Sequence, residues 1–598
     1  MHGQARPSLR VNLILVACFL LAILAGCQTA TQWMAWRYHG QPALGQSLSG
    51  FYPPWSAWAW YARWHHLELL RQAAGVGFAV MVVGLCLVAW IRLGSGRNVN
   101  TFSHGSARWA GRKDLGRAGL LGDQGVYVGA VQTGRGLRYL RAGGGAHVLV
   151  MAPTGAGKTV GLVVPTLLSW TESAFIFDLK GELWALSAGW RKQHAHNRVL
   201  RFEPAAAAGS AAFNPLDEVR LGTRYEVADA QNLSLLLVDP DGKGLNDHWQ
   251  KTAQSLLTGC ILYLCLQAKR GGAPATLGAL DALLADPARE VGKLWKAMKD
   301  FPHPVVAAAG RDMLDRPEME AGSVLSTAKS YLSLFRDPVV ARNVSRSDFS
   351  IADLMHHDAP VSLYLVTEAT DQERLRPLVR ILANLVLRRL APVMEFEAGQ
   401  PRPTYRHRLL LMLDEFPSLE RLAIMEKALA YIRGFGITAM ILTQDLSQLR
   451  ARYGKDESIT SNCQIHVAYP TPSLETAEHM SRMTGQTTIV REQLTRSGRG
   501  LFANVSTTLH ETGRALLTAD ECMRLPGPLK DAAGRIVQPG DMLVFAAGFP
   551  AVRGKQPLYF QDPTFAARAA VPPPARSDVL LAGQVPPGPI EVLEEVDF

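Results

Sequence analysis

The chain runs to 598 residues, 48% hydrophobic and 19% charged, with a formal net charge of +10. That length holds about three or four domain-sized units, and the composition is that of globular protein slightly enriched by membrane segments, which excludes a disordered chain. The basic balance favours an anionic partner, nucleic acid or a membrane surface, although basic loops flanking membrane spans give the same sum. Seven cysteines offer no metal or disulfide pattern. Cys18, Cys27 and Cys86 lie in apolar segments, and Cys260, Cys265, Cys463 and Cys522 are scattered without C-x-x-C spacing, as in a reducing, cytosolic body.

Residues 11–27 are apolar except for Asn12 and follow Arg6 and Arg10. Residues 73–91 are an uncharged run of 19 ending before Arg92, close to the roughly 20 residues that cross a bilayer. Arg92, Arg97, Arg108, Arg112, Lys113 and Arg117 follow the second span and hold that side in the cytoplasm. Both termini are then inside, with a short external loop whose Trp33, Trp36, Trp55, Trp58, Trp60 and Trp64 suit an interfacial aromatic belt. Leu24-Ala25-Gly26-Cys27 also reads as a lipoprotein cleavage box, which would leave one span and a lipidated Cys27. Either reading leaves the rest of the chain cytoplasmic.

Residues 98–145 are rich in Gly and Arg and lead into the most informative stretch, Ala152-Pro153-Thr154-Gly155-Ala156-Gly157-Lys158-Thr159. It fits G-x-x-x-x-G-K-[ST] with alanine for the first glycine. It also lies between a short apolar strand (147–151) and an apolar helix (160–169), as a phosphate-binding loop requires. The strand delivers the chain into a tight turn whose bare N–H groups wrap phosphates, and the helix adds its positive end. Gly155 and Gly157 permit that approach, Lys158 reaches the β- and γ-phosphates, and the Thr159 hydroxyl can hold Mg2+. A nucleoside triphosphate is the implied ligand.

Strand-like runs follow at 173–179 and 199–202, then a largely helical stretch from 225 to 347. Strand patterns resume at 361–367, 409–413, 438–443, 463–468 and 543–549, with a helix at 377–391. Strands alternating with helices predict an α/β fold, a parallel sheet covered by helices on both faces. From about Phe565 the chain turns rich in Pro, Ala and Val and ends acidic at Glu591, Glu594, Glu595 and Asp597, the composition of a disordered or partner-seeking tail over 563–598.

The run 409–413 ends in Asp414-Glu415. A buried strand has no use for paired carboxylates at its tip unless a cation or a reacting water sits there. Asp414 then joins Thr159 in holding magnesium, and Glu415 polarises the attacking water. Asp414 follows Lys158 by 256 residues, more than a compact phosphate-loop fold needs, so the helical stretch reads as an inserted all-α domain. Gln444 follows the next strand and could sense the γ-phosphate or orient water. Arg433, in a glycine-flanked turn, could reach a neighbouring subunit's nucleotide. Asp178-Leu179-Lys180-Gly181-Glu182 ends a strand at the same sheet edge, to reach the site or to cap the next helix. Arg491, Arg496 and Arg499 are candidates for DNA contact, although they read first as a solvated loop.

Several of these motifs together resemble the TraG class of type IV secretion coupling proteins. They are His104-Gly105-Ser106-Ala107-Arg108-Trp109-Ala110, the phosphate loop, Asp178-Leu179-Lys180-Gly181-Glu182, Phe213-Asn214-Pro215-Leu216, Leu413-Asp414-Glu415-Phe416-Pro417 and Ala430-Tyr431-Ile432-Arg433-Gly434-Phe435-Gly436-Ile437. The match runs from the first span to about residue 560. It departs at Leu179, where the family often has proline, and at Glu420, where glycine is usual. The resemblance implies a RecA-like ATPase core with an inserted all-α domain, two N-terminal spans in the bacterial inner membrane and assembly as a homo-hexamer. Its cofactors are ATP and Mg2+, and its partners are the relaxase–DNA complex and components of the secretion channel. Carried over, Lys158, Thr159, Asp414 and Glu415 form the hydrolytic site, Gln444 is the sensor and Arg433 a finger acting in trans. The implied domains are a membrane domain (1–97), two halves of the nucleotide domain (98–224 and 351–562), the insert (225–350) and the tail. Cargo stays open between single-stranded DNA and protein effectors. A nucleotide-switched receptor or docking scaffold is the non-enzymatic alternative, which Glu415 argues against.

Overall fold

The computed structural model describes residues 9–94, 103–134, 136–285, 290–391, 395–397, 400–402, 404–497 and 504–581. Arg6, Arg97, Arg499 and the four acidic residues of the C-terminal tail lie outside the described residues. The chain divides into two compact units, 1–100 and 101–598.

In the first unit two helices, Leu9–Arg37 and Glu68–Gly94, each contain a stretch long and apolar enough to cross a membrane, Val16–Arg37 and Glu68–Trp90. Their apolar side chains, such as Leu21 and Val83, point outward and are exposed, which suits a lipid solvent. Small residues let the helices pack closely. A Cβ on Gly26 would lie 2.7 Å from the Gly77 carbonyl oxygen, and one on Gly77 would lie 2.7 Å from Ala30 Cβ. Helix Ser56–Trp64 and the turn Pro42–Leu44 sit between them in sequence. Trp60 departs from the predicted belt: it is buried with Met34, Leu44, Tyr52 and Leu70, and its indole N–H donates to the Leu44 carbonyl at 3.1 Å. Trp36, Trp55 and Trp58 are exposed.

The second unit is built on one sheet. Its strands are β1 (Val126–Thr133), β2 (Gly136–Ala142), β3 (Val148–Met151), β4 (Ser173–Asp178), β5 (Arg198–Phe202) and β6 (Val361–Val366). Outside it lies the small hairpin β7 (Glu395–Glu397) and β8 (Gln400–Arg402). Then come β9 (Leu409–Leu413), β10 (Ile437–Thr443) and β11 (Ile465–Ala468). Two further hairpins, β12 (Gln486–Ser497) with β13 (Asn504–Ala515) and β14 (Leu529–Lys530) with β15 (Ile536–Gln538), precede β16 (Asp541–Ala546) and β17 (Val552–Lys555). The spatial order is β2-β1-β17-β16-β11-β3-β10-β9-β4-β6-β5. From β11 to β5 all pairs are parallel. These strands are buried on both faces, hence their unbroken apolar runs. The expectation of a purely parallel sheet needs correction, because β16, β17, β1 and β2 extend it antiparallel. Short turns join β1 to β2 and β16 to β17, while β17 meets β1 and β16 meets β11 across long stretches of chain.

Between β5 and β6 lie the helices from Glu226–Val238 to Pro338–Asn343. Their buried residues, Leu256, Leu257 and Leu280 among them, form one cluster with Leu149, Phe175 and Phe202 on one sheet face. The chain enters and leaves this insert at one place. Phe213 N donates to Asn343 O and Asp348 N to Ala212 O, both at 2.9 Å, and the Phe213 and Phe349 rings stack at 5.0 Å. Asn214 of the Phe-Asn-Pro-Leu motif donates to the Ala275 carbonyl and to Asp217, each at 2.8 Å, tying the crossing to the insert.

Two expectations for the C-terminal part change. Arg491 and Arg496 lie on strand β12 of a long ribbon rather than in a loop. Residues 563–581, assigned by composition to the tail, are ordered. Asp562 caps helix Pro563–Ala569, with Pro563 at its first turn. Beyond it Asp578 exchanges hydrogen bonds with Val199, covering the open edge of β5.

Arg191, in helix Glu182–Gln193, locks the loop's own helix to the sheet. It is fully buried and donates to the carbonyls of Leu167, Trp170 and Glu172, to Ser362 Oγ at 2.7 Å and to Asn197 Oδ1 at 2.8 Å. Burial lowers its pKa to about 10, so the guanidinium stays charged. Arg191→Met orphans those acceptors, and we expect about 3 kcal/mol of lost stability. Chemical denaturation reads this directly, and a loss below about 0.5 kcal/mol would show that the guanidinium does not hold the helix.

Candidate nucleotide site

The phosphate loop leaves the carboxyl end of β3 at the centre of the sheet. β10 pairs with β3 on one side and with β9 on its other side, all parallel, with Thr443 opposite Met151 and Ile441 opposite Leu413. Asp414, Glu415 and Gln444 therefore emerge at the same edge as the loop, where open α/β sheets bind ligands. Ala152 N donates to the Thr443 carbonyl at 2.9 Å, continuing the pairing into the loop. Gly155 and Gly157 have φ of 73° and 86°, the left-handed backbone that a tight phosphate-wrapping turn needs.

The separated segments meet at Lys158. Its Nζ lies 2.5 Å from Glu415 Oε2 and 3.3 Å from Asp414 Oδ1. Gln444 Nε2 donates to Glu415 Oε1 at 2.8 Å, so each Glu415 oxygen has a partner. Glu415 itself takes φ 61° and ψ 49°, a left-handed conformation that a residue with Cβ adopts only under constraint. Burial pulls the Lys158 ammonium toward neutrality, but attraction to Asp414 and the Glu415 hydrogen bond outweigh it and raise its pKa. Burial raises the Asp414 pKa, against the opposing pull of Lys158.

A magnesium site fits the donors present. Thr159 Oγ1 stands 3.5 Å from Asp414 Oδ2, too far for a strong bond. Asp414 Oδ1 is buried and, although Lys158 approaches it, accepts no hydrogen bond of good geometry. A hydroxyl and a carboxylate with an unused lone pair are hard oxygen ligands of the kind Mg2+ takes.

The other predicted residues go elsewhere. Asp178 is buried and accepts from Trp184 N at 2.8 Å and Lys180 N at 3.4 Å, which is the helix-capping role. Arg433 is exposed in the turn Ile432–Phe435 just before β10, beside Gly145 just ahead of β3. That is the opposite edge of the sheet from the phosphate loop, so it does not join this chain's own site. Glu420, where the family usually has glycine, holds φ 56° and ψ −160° and pairs with Arg452 at 3.0 Å. Sequence reasoning missed Gln556, a lone amide in no motif. It is fully buried, and its Nε2 donates to the Ala156 carbonyl of the loop at 2.6 Å.

The cluster makes a pH-dependent prediction. Lys158→Met leaves two neighbouring carboxylates without their cation, costing about 2 kcal/mol at pH 8. As pH falls toward 5 the variant's Asp414, already raised by burial, takes up a proton in the folded state before the unfolded chain does. Stability relative to the parent then recovers as pH falls. Thermal unfolding of both proteins at the two pH values measures it, and a pH-independent deficit contradicts it.

Comparisons with known proteins place the chain in a family. A family model described as type IV secretory system conjugative DNA transfer matches residues 108–580. The conjugal transfer protein TraG of Escherichia coli is 55% identical over 595 residues, covering 94% of each chain. Protein VirD4 of Agrobacterium fabrum (strain C58 / ATCC 33970) is 29% identical over 477 residues, covering 77% of this chain and 66% of that one. Among solved structures, the plasmid coupling protein TrwB in complex with the non-hydrolysable GTP analogue GDPNP superposes with a TM-score of 0.55 at 20% identity. It covers 79% of this chain and 99% of that one. TrwB in complex with ADP and Mg2+ gives the same score. At those identities the structural likeness speaks for the fold, a RecA-like core, while the family match and the TraG identity carry the assignment. This chain belongs to the type IV secretory system conjugative DNA transfer family, whose members are the coupling proteins of conjugation.

Proposed function

We propose that the chain is an ATP-hydrolysing motor, anchored in the bacterial inner membrane by its two N-terminal helices, that recruits a relaxase–DNA complex to a type IV secretion channel and drives single-stranded DNA through it. The observation that carries the reading is Glu415, held between Lys158 and Gln444 at the mouth of the phosphate loop. A nucleotide switch needs the loop but has little use for a water-polarising carboxylate kept in place by two partners.

The residues divide the work as follows. Backbone N–H groups of the loop and the end of the following helix hold the phosphates. Lys158, bridged to Glu415 before nucleotide arrives, exchanges that contact for the terminal phosphate. Glu415, freed on one oxygen and still oriented by Gln444, accepts a proton from the water that attacks the γ-phosphorus as the bond to the β-phosphate oxygen breaks. Thr159 and Asp414 would hold Mg2+, which would supply positive charge to offset that of the phosphates. In the homo-hexamer expected of the family, Arg433, at the far edge of the sheet from its own loop, would act on a neighbouring protomer's nucleotide. In this reading residues 98–224 and 351–562 make the motor domain, and 225–350 the all-α domain that meets the substrate.

Mating tests the proposal. With protein levels matched, Lys158→Ala is expected to lower transfer of the cognate DNA roughly a thousandfold or more, and Gln444→Ala by at least about tenfold. The purified full-length protein should hydrolyse ATP faster when single-stranded DNA is added. Wild-type transfer by Lys158→Ala, or turnover indifferent to DNA and relaxase, would sink it.

A further inference from the structure

The hairpin β14–β15 lies directly over the phosphate loop, and none of the loop's own motif residues accounts for it. A Cβ built on Gly157 would meet Ile536 Cδ1 at 2.7 Å, and one built on Gly155 would meet Lys530 Nζ at 3.1 Å. The ammonium of Lys530 thus sits at the tip of the turn whose N–H groups face the phosphates. We propose that Lys530 is a second phosphate-binding cation of the nucleotide site, positioned over the loop by Gln556. The proposal rests on the nucleotide-site reading above.

Three observations support it. First, the placement is built. Gln556 is fully buried and uses its whole amide as a bridge: Nε2 donates to Ala156 O of the loop at 2.6 Å, and Oε1 accepts from Gly540 N, just past β15, at 3.2 Å. Gln556 N also donates to Gly540 O at 3.2 Å, and Gln561 Nε2 donates to Val537 O at 2.7 Å. The hairpin is therefore anchored at its base to the loop it covers. Second, the neighbouring charge is already used. Asp531 accepts from Ala533 N and Arg535 N and pairs with the Arg535 guanidinium at 2.9 Å. Among the described residues Lys530 has no carboxylate partner. Third, the cation of the loop is already committed. Lys158 faces both Asp414 and Glu415, so this trio carries a net charge of −1. An ammonium at the loop's tip offsets that deficit, as charge-assisted contacts to phosphate do elsewhere.

Equilibrium binding of a fluorescent ATP analogue and of ADP to the purified full-length protein, without turnover, tests this. Lys530→Ala should weaken ATP binding about tenfold, with Lys530→Arg recovering most of it. Gln556→Leu, which removes the bridge, should reproduce much of the loss. Thermal unfolding of Lys530→Ala should match the parent, since the side chain is exposed. Lys158→Ala separates the two claims. If it abolishes binding while Lys530→Ala leaves the affinity for ATP unchanged, Lys530 is a solvated surface lysine and the proposal is wrong. If Lys158→Ala binds as tightly as the parent, the nucleotide site itself has been misread.

Discussion

The whole site depends on the parallel pairing of β3, β10 and β9. Parallel strands in register end at one edge, so whatever follows each strand is delivered to the same place. Thr443 opposite Met151 and Ile441 opposite Leu413 set the phosphate loop, Gln444 and Asp414-Glu415 side by side. A slip of one residue would turn every buried side chain of β10 to the other face. Both faces are apolar, with Leu149 and Leu411 in one core cluster and Val150 and Met412 in the other, so close packing of side-chain volumes rather than polarity holds the register. The long insertion does not disturb it. The chain leaves and returns at the Ala212–Asp348 crossing, and the insert's apolar residues join the core on one sheet face.

Charge is the second constraint. A phosphate loop draws anions, yet here it lies beside two carboxylates. Lys158 resolves this by pairing with both. Glu415 accepts a strained left-handed backbone to reach it, and strain of that kind persists where surrounding structure overdetermines a residue. Gln444 holds the second carboxylate oxygen, so the carboxylate is fixed in one orientation. Under the proposed function, preorganisation of this sort is what a hydrolytic site needs and a passive anion hole does not.

Most of this was legible because it follows from local patterns. The loop lies between a strand and a helix, β9 ends in paired acids, and apolar runs mark the buried parallel strands. Trp60 was misread because composition cannot tell an interfacial tryptophan from one whose indole N–H finds the Leu44 carbonyl. Residues 563–581 were misread because proline and alanine look disordered until Asp562 caps a helix and Asp578 pairs with the free edge of β5. The strand pattern at 543–549 marked β16, but its antiparallel pairing with β11, and that of β17 with β1, was not legible because it joins residues far apart in sequence; the hairpin over the loop is too short to show a period. Gln556 illustrates the limit: no motif surrounds it, yet its amide holds the loop's backbone. Arg433 was correctly singled out as a turn residue, but only the sheet reveals that it faces away from its own loop.

The central claim is that two segments 256 residues apart form one hydrolytic site. Single-turnover hydrolysis of pre-bound ATP by the full-length protein, with single-stranded DNA present, tests it most directly when Glu415→Gln is compared with the parent. The account predicts that the variant binds ATP as the parent does and cleaves it at least about a hundredfold more slowly. Cleavage at the parental rate would contradict it.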